Sequence, residues 1–497
     1  MTTTSTSIEA APSVAPSPPS FTAPARAMDA RTRALLEAPL PMTLLRMGLP
    51  NVLVMAAQAS AALIETYFVG KLGTDALAGM SLVFPVVMLM QMMSAGAVGG
   101  GIASAIARAL GAGRRSDADA LVFHSILIAV AFGLFFMVLV LGGGRWLFGA
   151  MGGSGAALEA AMTYAAWVFG GAILVWLFNS LGAIVRGTGN MVLPAIVTVV
   201  GTVFLIPVSP ILIFGAGPIP ALGIAGGAIA LLSFYVLGAM VMAGYLWSGR
   251  SALRPSLLRS GFRRDLFTDI LRVGLVGSIS TVASNVTIAT GTALVGHFGI
   301  AAIAGYGTAS RLEYLLVPLA FGLGAPLVTI VGTCIGAGNP ERALRATWIG
   351  AAFSFALTEA IGLWAAFFPH AWLRLFDTDP VMLATGAHYL RIVGPTYGFF
   401  GLGLTLYFAS QGAGRLKWPV CASVTRMAVA AGIGYLVFRA GSGIGSVFAA
   451  QAVALLVYGG LNAASVAGGS WFGRIGWPVS TGELVRRIGL RQRPRQL

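Results

Sequence analysis

Val69-Gly-Lys-Leu-Gly-Thr-Asp-Ala-Leu-Ala-Gly79 returns later in the chain as Val295-Gly-His-Phe-Gly-Ile-Ala-Ala-Ile-Ala-Gly305, with six of eleven positions identical. Working outward, Gly111-Ala-Gly113 returns as Gly336-Ala-Gly338, and Arg186-Gly-Thr-Gly-Asn190 with Pro194 returns as Gln411-Gly-Ala-Gly-Arg415 with Pro419. The offset is 225 or 226 each time, so the chain consists of two copies of one unit. Between the matches lie apolar runs of about 20 residues or more, the length of a helix that crosses a bilayer.

Composition agrees with a lipid solvent. The chain has 497 residues, 57% hydrophobic and 9% charged, with a mean hydropathy of +0.86. A soluble domain carries about 25% charged residues, and one this apolar could not cover its own surface. Backbone groups in lipid must be satisfied within the element, which leaves helices or closed barrels. Barrel strands are short and alternate, so the long runs decide for helices. They place twelve spans at 43–69, 76–106, 119–141, 157–184, 191–214, 221–247, 273–297, 301–333, 344–368, 381–410, 419–438 and 446–469. The offset covers six spans, an even number, so both halves run the same way. The fold expected is all-α integral membrane: twelve transmembrane helices in two six-helix lobes, related by a pseudo-twofold along the membrane normal.

The domain plan follows: a disordered tail over 1–40 with a short surface helix near 29–37, an N-lobe over 41–248, a linker over 249–272, a C-lobe over 273–470 and a basic tail over 471–497. Residues 1–38 lack the apolar core of a signal peptide. Charge placement sets the orientation. Of 31 Lys and Arg, four fall in the loops on one side (Lys71, Arg145, Arg374, Arg439) and three inside spans (Arg311, Arg391, Arg426). The other 24 lie on the opposite side or in the tails, which puts both termini in the cytoplasm and the protein in the cytoplasmic (inner) membrane. The net charge of +15 therefore speaks of membrane lipid and not of nucleic acid. Cys334 and Cys421 are far apart and give neither a metal spacing nor a disulfide framework.

The repeated residues also carry a resemblance. Leu49-Pro-Asn, Glu65-Thr-Tyr-Phe-Val-Gly-Lys-Leu-Gly with Ala76-Leu-Ala-Gly, Arg108-Ala-Leu-Gly-Ala-Gly113, Arg186-Gly-Thr-Gly-Asn, Ile213-Phe-Gly and Leu222-Gly-Ile-Ala-Gly-Gly-Ala come in order. Ala325-Pro-Leu-Val-Thr-Ile-Val-Gly, Gly336-Ala-Gly-Asn and Gln411-Gly-Ala-Gly follow in the second half. In this order and spacing, from about 40 to 470, the chain resembles the multidrug and toxic compound extrusion (MATE) family. The resemblance implies export of bulky, often cationic organic compounds against inward movement of protons or sodium. Two lobes would form a V-shaped cavity and alternate access between the two sides.

Sixteen acids are present, and only Glu65, Glu313 and Glu359 fall inside spans. An ionised acid at membrane depth costs about 2.5–3.5 kcal/mol even on the gentler scales, so each needs a reason to be there. Glu65 lies in the outer half of span 1, where the resemblance implies an aspartate that binds the coupling ion. A carboxyl that is costly to ionise can exchange a proton, so Glu65 is the expected coupling group. Its repeat equivalent is Gly291. The Asn and Asp partners that the family usually carries in span 5 fall at Leu205 and Ser209, counting from Pro194. That loss of oxygen ligands favours proton over sodium.

Glu313 and Arg311 are two residues apart on span 8 and cannot face each other on one helix, so each needs a partner elsewhere, such as Arg391 or Arg426. A buried ion pair and a substrate-cation site are both open for them. Glu359 in span 9, and Gln91 among Met88, Met90, Met92 and Met93, are further polar candidates for the substrate path, with Asn179 and Asn285 behind them. His297 reads as interfacial. The Gly-Ala-Gly turns lack the Gly-Lys-Ser/Thr ending of a phosphate loop, so no ATP is expected. No metal site or other cofactor is expected beyond the coupling ion, and a monomer is expected. Two other functions compete. A flippase of lipid-linked saccharides would need several basic residues in its cavity, and a membrane-embedded enzyme would need a catalytic cluster within the spans.

Overall fold

Apolar stretches in lipid can satisfy their backbone only within themselves, and the described residues are helical nearly throughout. The computed structural model describes residues 29–255, 261–376 and 379–472. A short helix α1 (Ala30–Glu37) precedes the first half, which runs α2 (Leu40–Gly70), α3 (Thr74–Gln91), a π segment (Met92–Val98), α4 (Gly99–Gly111), α5 (Arg115–Ala150), α6 (Gly155–Gly170), α7 (Ala172–Gly187), α8 (Val192–Phe214) and α9 (Ile224–Trp247). The second half runs α10 (Arg264–Gly296), α11 (Ile300–Gly336), α12 (Pro340–Phe367), α13 (Pro369–Leu373), α14 (Pro380–Val393), a 3-10 turn (Gly394–Thr396), α15 (Tyr397–Gly412), α16 (Lys417–Arg439) and α17 (Ile444–Ala467). Among the described residues the only β-type pairing is the isolated bridge Ala216–Ile219.

Eleven helical stretches are long and apolar enough to cross a membrane, and the bent pair α6–α7 completes twelve. The protein is a multi-pass membrane protein with the two-lobe fold expected. Three spans are broken where the sequence suggests continuous helices. Span 2 widens into a π turn after Gln91, span 4 bends by 47° at Gly170–Ala172, and span 10 tightens into a 3-10 turn around Pro395. At the bend, Gly171 lies against Leu232 of α9, where a Cβ would collide. Span 7 also begins earlier than its apolar run, at Arg264 and not at 273. The added turns are polar, held by Arg263–Asp117 (2.7 Å) and Arg263–Asp265 (2.8 Å). The expected tails lie largely outside the described residues, although α1 is formed and its Leu35 packs with Leu327 and Ile330 in one apolar cluster.

The broken spans reveal how the lobes sit. The half-helices on one side pack within their own lobe: α3 against α6, α6 against α9, and α14 against α11, α12 and α17. The half-helix α4 instead packs across onto α10, α11 and α15 of the other lobe. The lobes thus join at the end that carries Arg108, Arg114, Arg115 and Arg263, the basic end, and diverge toward the other. The joint is made by backbone. A Cβ on Gly111 would strike the Thr333 carbonyl, and one on Gly336 would strike the Arg108 carbonyl. Polar side chains cross the same seam. Ser104 donates to the Gln411 carbonyl (2.6 Å), Gln411 to the carbonyls of Gly96 (3.2 Å) and Ala97 (3.1 Å), and Arg108 grips Asp269 at 2.9 Å through both carboxylate oxygens.

Candidate functional site

Glu65 lies five residues before the end of α2, on the side where the lobes diverge, and it is buried. Its position there follows from the face it shares with Val69, Val54 and Asn51, the buried stripe of α2. The Tyr164 hydroxyl of α6 donates to Glu65 Oε1 at 2.6 Å. Gly227 of α9 packs beside the carboxylate, where a Cβ would make ordinary contact with Glu65 Oε1 at 3.5 Å. Glu65 makes no ion pair among the described residues. The nearby span 5 positions carry no charge, as the sequence suggests. Leu205 and Ser209 are both buried on α8, and Ser209 Oγ has no hydrogen-bond partner among the described residues.

Deeper in the same lobe, a second set of polar groups forms a chain. Asn179 of α7 donates to Gln91 Oε1 (2.9 Å) and to Ser94 Oγ (2.8 Å), and Gln91 donates to the Tyr235 hydroxyl of α9. Gln91 is the last residue of α3, and Ser94 falls in the π segment that follows. The extra residue in that turn lets two positions three apart in sequence reach one amide, and π turns recur at functional sites for this reason. Tyr235 and Gly227 lie on one helix about 12 Å apart along its axis. The N-lobe therefore carries polar groups from Glu65 down to Asn179. Below them a small cavity of about 20 Å³ is lined by Asn51, Gln58, Asn179 and Arg186, with Phe321 contributed by the C-lobe. Its volume suits one water molecule.

Of the methionines around Gln91, Met90 is fully buried, and Met88 and Met93 pack against the N-lobe core. Met92 faces out, and Asn285 of α10 donates to its sulfur (3.9 Å) across the gap between lobes. Asn285 is otherwise tied to the Thr281 carbonyl (2.8 Å) and stands apart from the Gln91–Asn179 set.

The C-lobe is organised differently. Arg426 of α16 is the partner of Glu313, at 2.7 Å, and both are largely buried. The guanidinium also lies over the rings of Phe400 (5.3 Å) and Tyr458 (5.6 Å). Arg311 does not join them, being exposed and over the Phe376 ring at 5.6 Å. Glu359 accepts the Gly398 N–H at 2.7 Å. Gly398 is in the first turn of α15, just past the 3-10 turn, so Glu359 caps from a neighbouring helix a backbone group that the break leaves free. His297 is exposed, with Nδ1 3.0 Å from the Ala293 carbonyl oxygen and its ring 4.7 Å from Phe438.

Tyr164 and Tyr235 escape a reading of the sequence, because a tyrosine in an apolar helix can equally anchor at the interface or pack in the core. Both are buried, and the polar tip of each needs a partner there.

Comparison with known proteins agrees with this architecture. A family model described as MatE matches residues 50–211 and 278–436, one stretch in each lobe. A protein of Shewanella oneidensis named as an FAD transporter is 30% identical over 387 residues, covering 76% of this chain and 82% of the relative. A probable multidrug resistance protein NorM of Deinococcus radiodurans is 28% identical, with 86% and 90% of the two chains covered. A MOP superfamily transporter structure from Pyrococcus furiosus superposes with a TM-score of 0.81 at 24% identity, covering 88% of this chain and 97% of that one. With its sequence profile, its paired lobes and its relatives in agreement, the chain belongs to the multidrug and toxic compound extrusion family of efflux transporters.

Proposed function

We propose that this protein is a proton-coupled antiporter that exports organic compounds by alternating access, with Glu65 as the coupling carboxyl. The observation that carries the reading is Glu65 itself: a buried acid with a single hydroxyl donor, Tyr164, and no cation paired to it among the described residues. Such a group is stable neutral and, when charged, is held by one hydrogen bond, which suits a site that loads and unloads a proton. Leu205 and Ser209 on α8 leave few oxygen ligands for sodium. The wide side of the V would face outward, since the end where the lobes join is also the basic end. On this reading both tails and the 249–272 linker are cytoplasmic, the membrane is the inner membrane, and the monomer is the working unit. Protonation of Glu65 from outside would favour closure of the open side, and proton release inward would reset the transporter.

The test is transport in proteoliposomes with proton and sodium gradients imposed separately. Efflux of a cationic dye should follow the pH gradient and cease in Glu65→Gln. Efflux that follows sodium at clamped pH, or that persists in the variant, would overturn the reading.

A second reading concerns the cargo. The Shewanella relative is named for FAD, a phosphate-bearing compound. Arg186 makes no ion pair among the described residues and lines the small N-lobe cavity with Asn51, Gln58 and Asn179. A phosphate group could dock on Arg186 once the lobes move. Counterflow of FAD against a cationic dye, in wild type and Arg186→Gln, separates the two cargo classes.

A further inference from the structure

The back of the C-lobe carries a groove set apart from the polar groups around Glu65 and Asn179. It has a volume of about 540 Å³ and is lined by His370 of α13, by His388 and Arg391 of α14, and by apolar residues including Leu383 and Ile392. The face of α14 that turns to α11 bears Gly386 and Tyr389, and Arg391 and Ala384 lie on the opposite face. His388 leans toward α17, where a Cβ on Gly445 would stand 2.6 Å from its Nε2. The groove therefore opens away from the other lobe, toward lipid.

Two cationic or protonatable side chains on the lipid side of a span require an explanation. Arg391 is exposed and makes no ion pair among the described residues. Its depth supplies one. Span 10 has 33 residues, Pro380–Gly412. Taken as straight it is about 50 Å long. The hydrocarbon core is about 30 Å thick, which leaves about 10 Å of a centred helix outside at each end. Arg391 lies eleven residues from Pro380, about 16 Å along the axis and so about 6 Å inside the hydrocarbon boundary. Helical side chains lean toward the N-terminus, so the guanidinium rises to that boundary, with His388 one turn nearer to it. An exposed aromatic set, Trp364, Phe367, Phe368 and Phe376, flanks His370 along the chain, as expected of an interfacial belt.

We propose that this groove binds one phospholipid with an anionic headgroup, from the leaflet at the end where the lobes diverge. Its phosphate is held by Arg391 and His388, its headgroup lies by His370 and Leu383, and an acyl chain descends past Ile392. A phosphate diester supplies the negative charge that Arg391 lacks, at the one depth where lipid carries it. The groove lies just before the 3-10 turn at Gly394–Thr396, so the lipid would steady α14 at the break in span 10.

The experiment is native mass spectrometry of the full-length protein in detergent, titrated with phosphatidylglycerol or phosphatidylcholine. Phosphatidylglycerol adducts should persist preferentially, and Arg391→Gln should weaken them about fivefold, the loss of about 1 kcal/mol from one basic contact. Arg391→Lys should retain most of the binding. Equal retention in wild type and Arg391→Gln overturns the proposal. So does displacement of the lipid by millimolar inorganic phosphate, which would make the site one for a free anion. Should Arg391→Gln fail to fold, a photoactivatable phosphatidylglycerol decides on the wild type. Labelling concentrated on α13 and α14 supports the site, and labelling spread evenly over the lipid-facing helices overturns it.

Discussion

The two lobes descend from one unit, yet they handle buried charge in opposite ways. In the N-lobe, Glu65 stands without a counter-ion among the described residues and takes one hydrogen bond from Tyr164. In the C-lobe the repeat equivalent of Glu65 is Gly291, and that of Tyr164 is Tyr389. The room of the missing carboxyl is taken by neighbours, since a Cβ on Gly291 would lie 2.6 Å from the Tyr306 hydroxyl and 2.9 Å from Gln451 Nε2. The C-lobe's own acid, Glu313, is neutralised by Arg426. A carboxyl gripped by a guanidinium ties two helices together, whereas one that takes a single hydroxyl hydrogen bond is left without a fixed counter-charge. Symmetry thus supplies the scaffold, and its breach at one position leaves a buried acid in the N-lobe where the C-lobe has a glycine.

The largest effect expected from breaking this contrast is on the N-lobe side. Glu65→Gln keeps the shape and an acceptor for Tyr164, so proton-driven efflux in proteoliposomes should drop to background while thermal melting in detergent hardly moves. On the C-lobe side the order reverses. Arg426→Met leaves Glu313 buried and unpaired and should cost about 3–5 kcal/mol of stability. The double variant Glu313→Gln/Arg426→Met should recover most of that loss, as read by thermal melting. If single and double variants melt alike, the pair is not coupled.

Tyr164→Phe should slow proton-driven efflux by an amount matching one hydrogen bond to a charged group, about 1.5–3 kcal/mol. No change in initial rate would remove Tyr164 from the site. Gly291→Ala should cost about 1–3 kcal/mol by crowding Tyr306 and Gln451, with the proton-to-substrate ratio unchanged. The smallest expected change is Glu359→Gln, which weakens the cap on Gly398 by about 1 kcal/mol and leaves transport rates per folded molecule as they were. A loss of transport at full stability would move Glu359 from packing to mechanism.

Much of this was legible in the chain before any coordinates. The duplicated Val-Gly…Gly…Ala-Gly stretches require two parallel halves, and the apolar runs require helices. Arg426 is one of three basic residues inside spans and so one of few possible partners for Glu313. The breaks in spans 2, 4 and 10 were not legible. A π turn at Met92–Val98 adds one residue to the winding without altering the apolar pattern, and Gly and Pro occur in unbroken spans such as α8 and α11 as well. The early start of α10 escaped because its first turns are polar, held by an ion pair between Arg263 and Asp117 of α5 that lies far off in sequence. Glu359 could be placed in a span, but its role depends on the broken span 10 beside it.

The seam at the basic end has a mechanical consequence. Gly111 against Thr333 and Gly336 against Arg108 bring bare main chain onto main chain, so at these two points the seam is a gasket without side-chain teeth. Beside these two points the Arg108–Asp269 clasp and the Ser104, Gln411 and Thr329 hydrogen bonds also cross the seam and would have to release for it to part. Its tolerance is correspondingly one carbon atom wide. A single methyl at Gly111 or Gly336 would act as a doorstop and hold the basic end ajar. The seal is therefore written into the chain as the absence of atoms, at the same two places in both copies of the repeat.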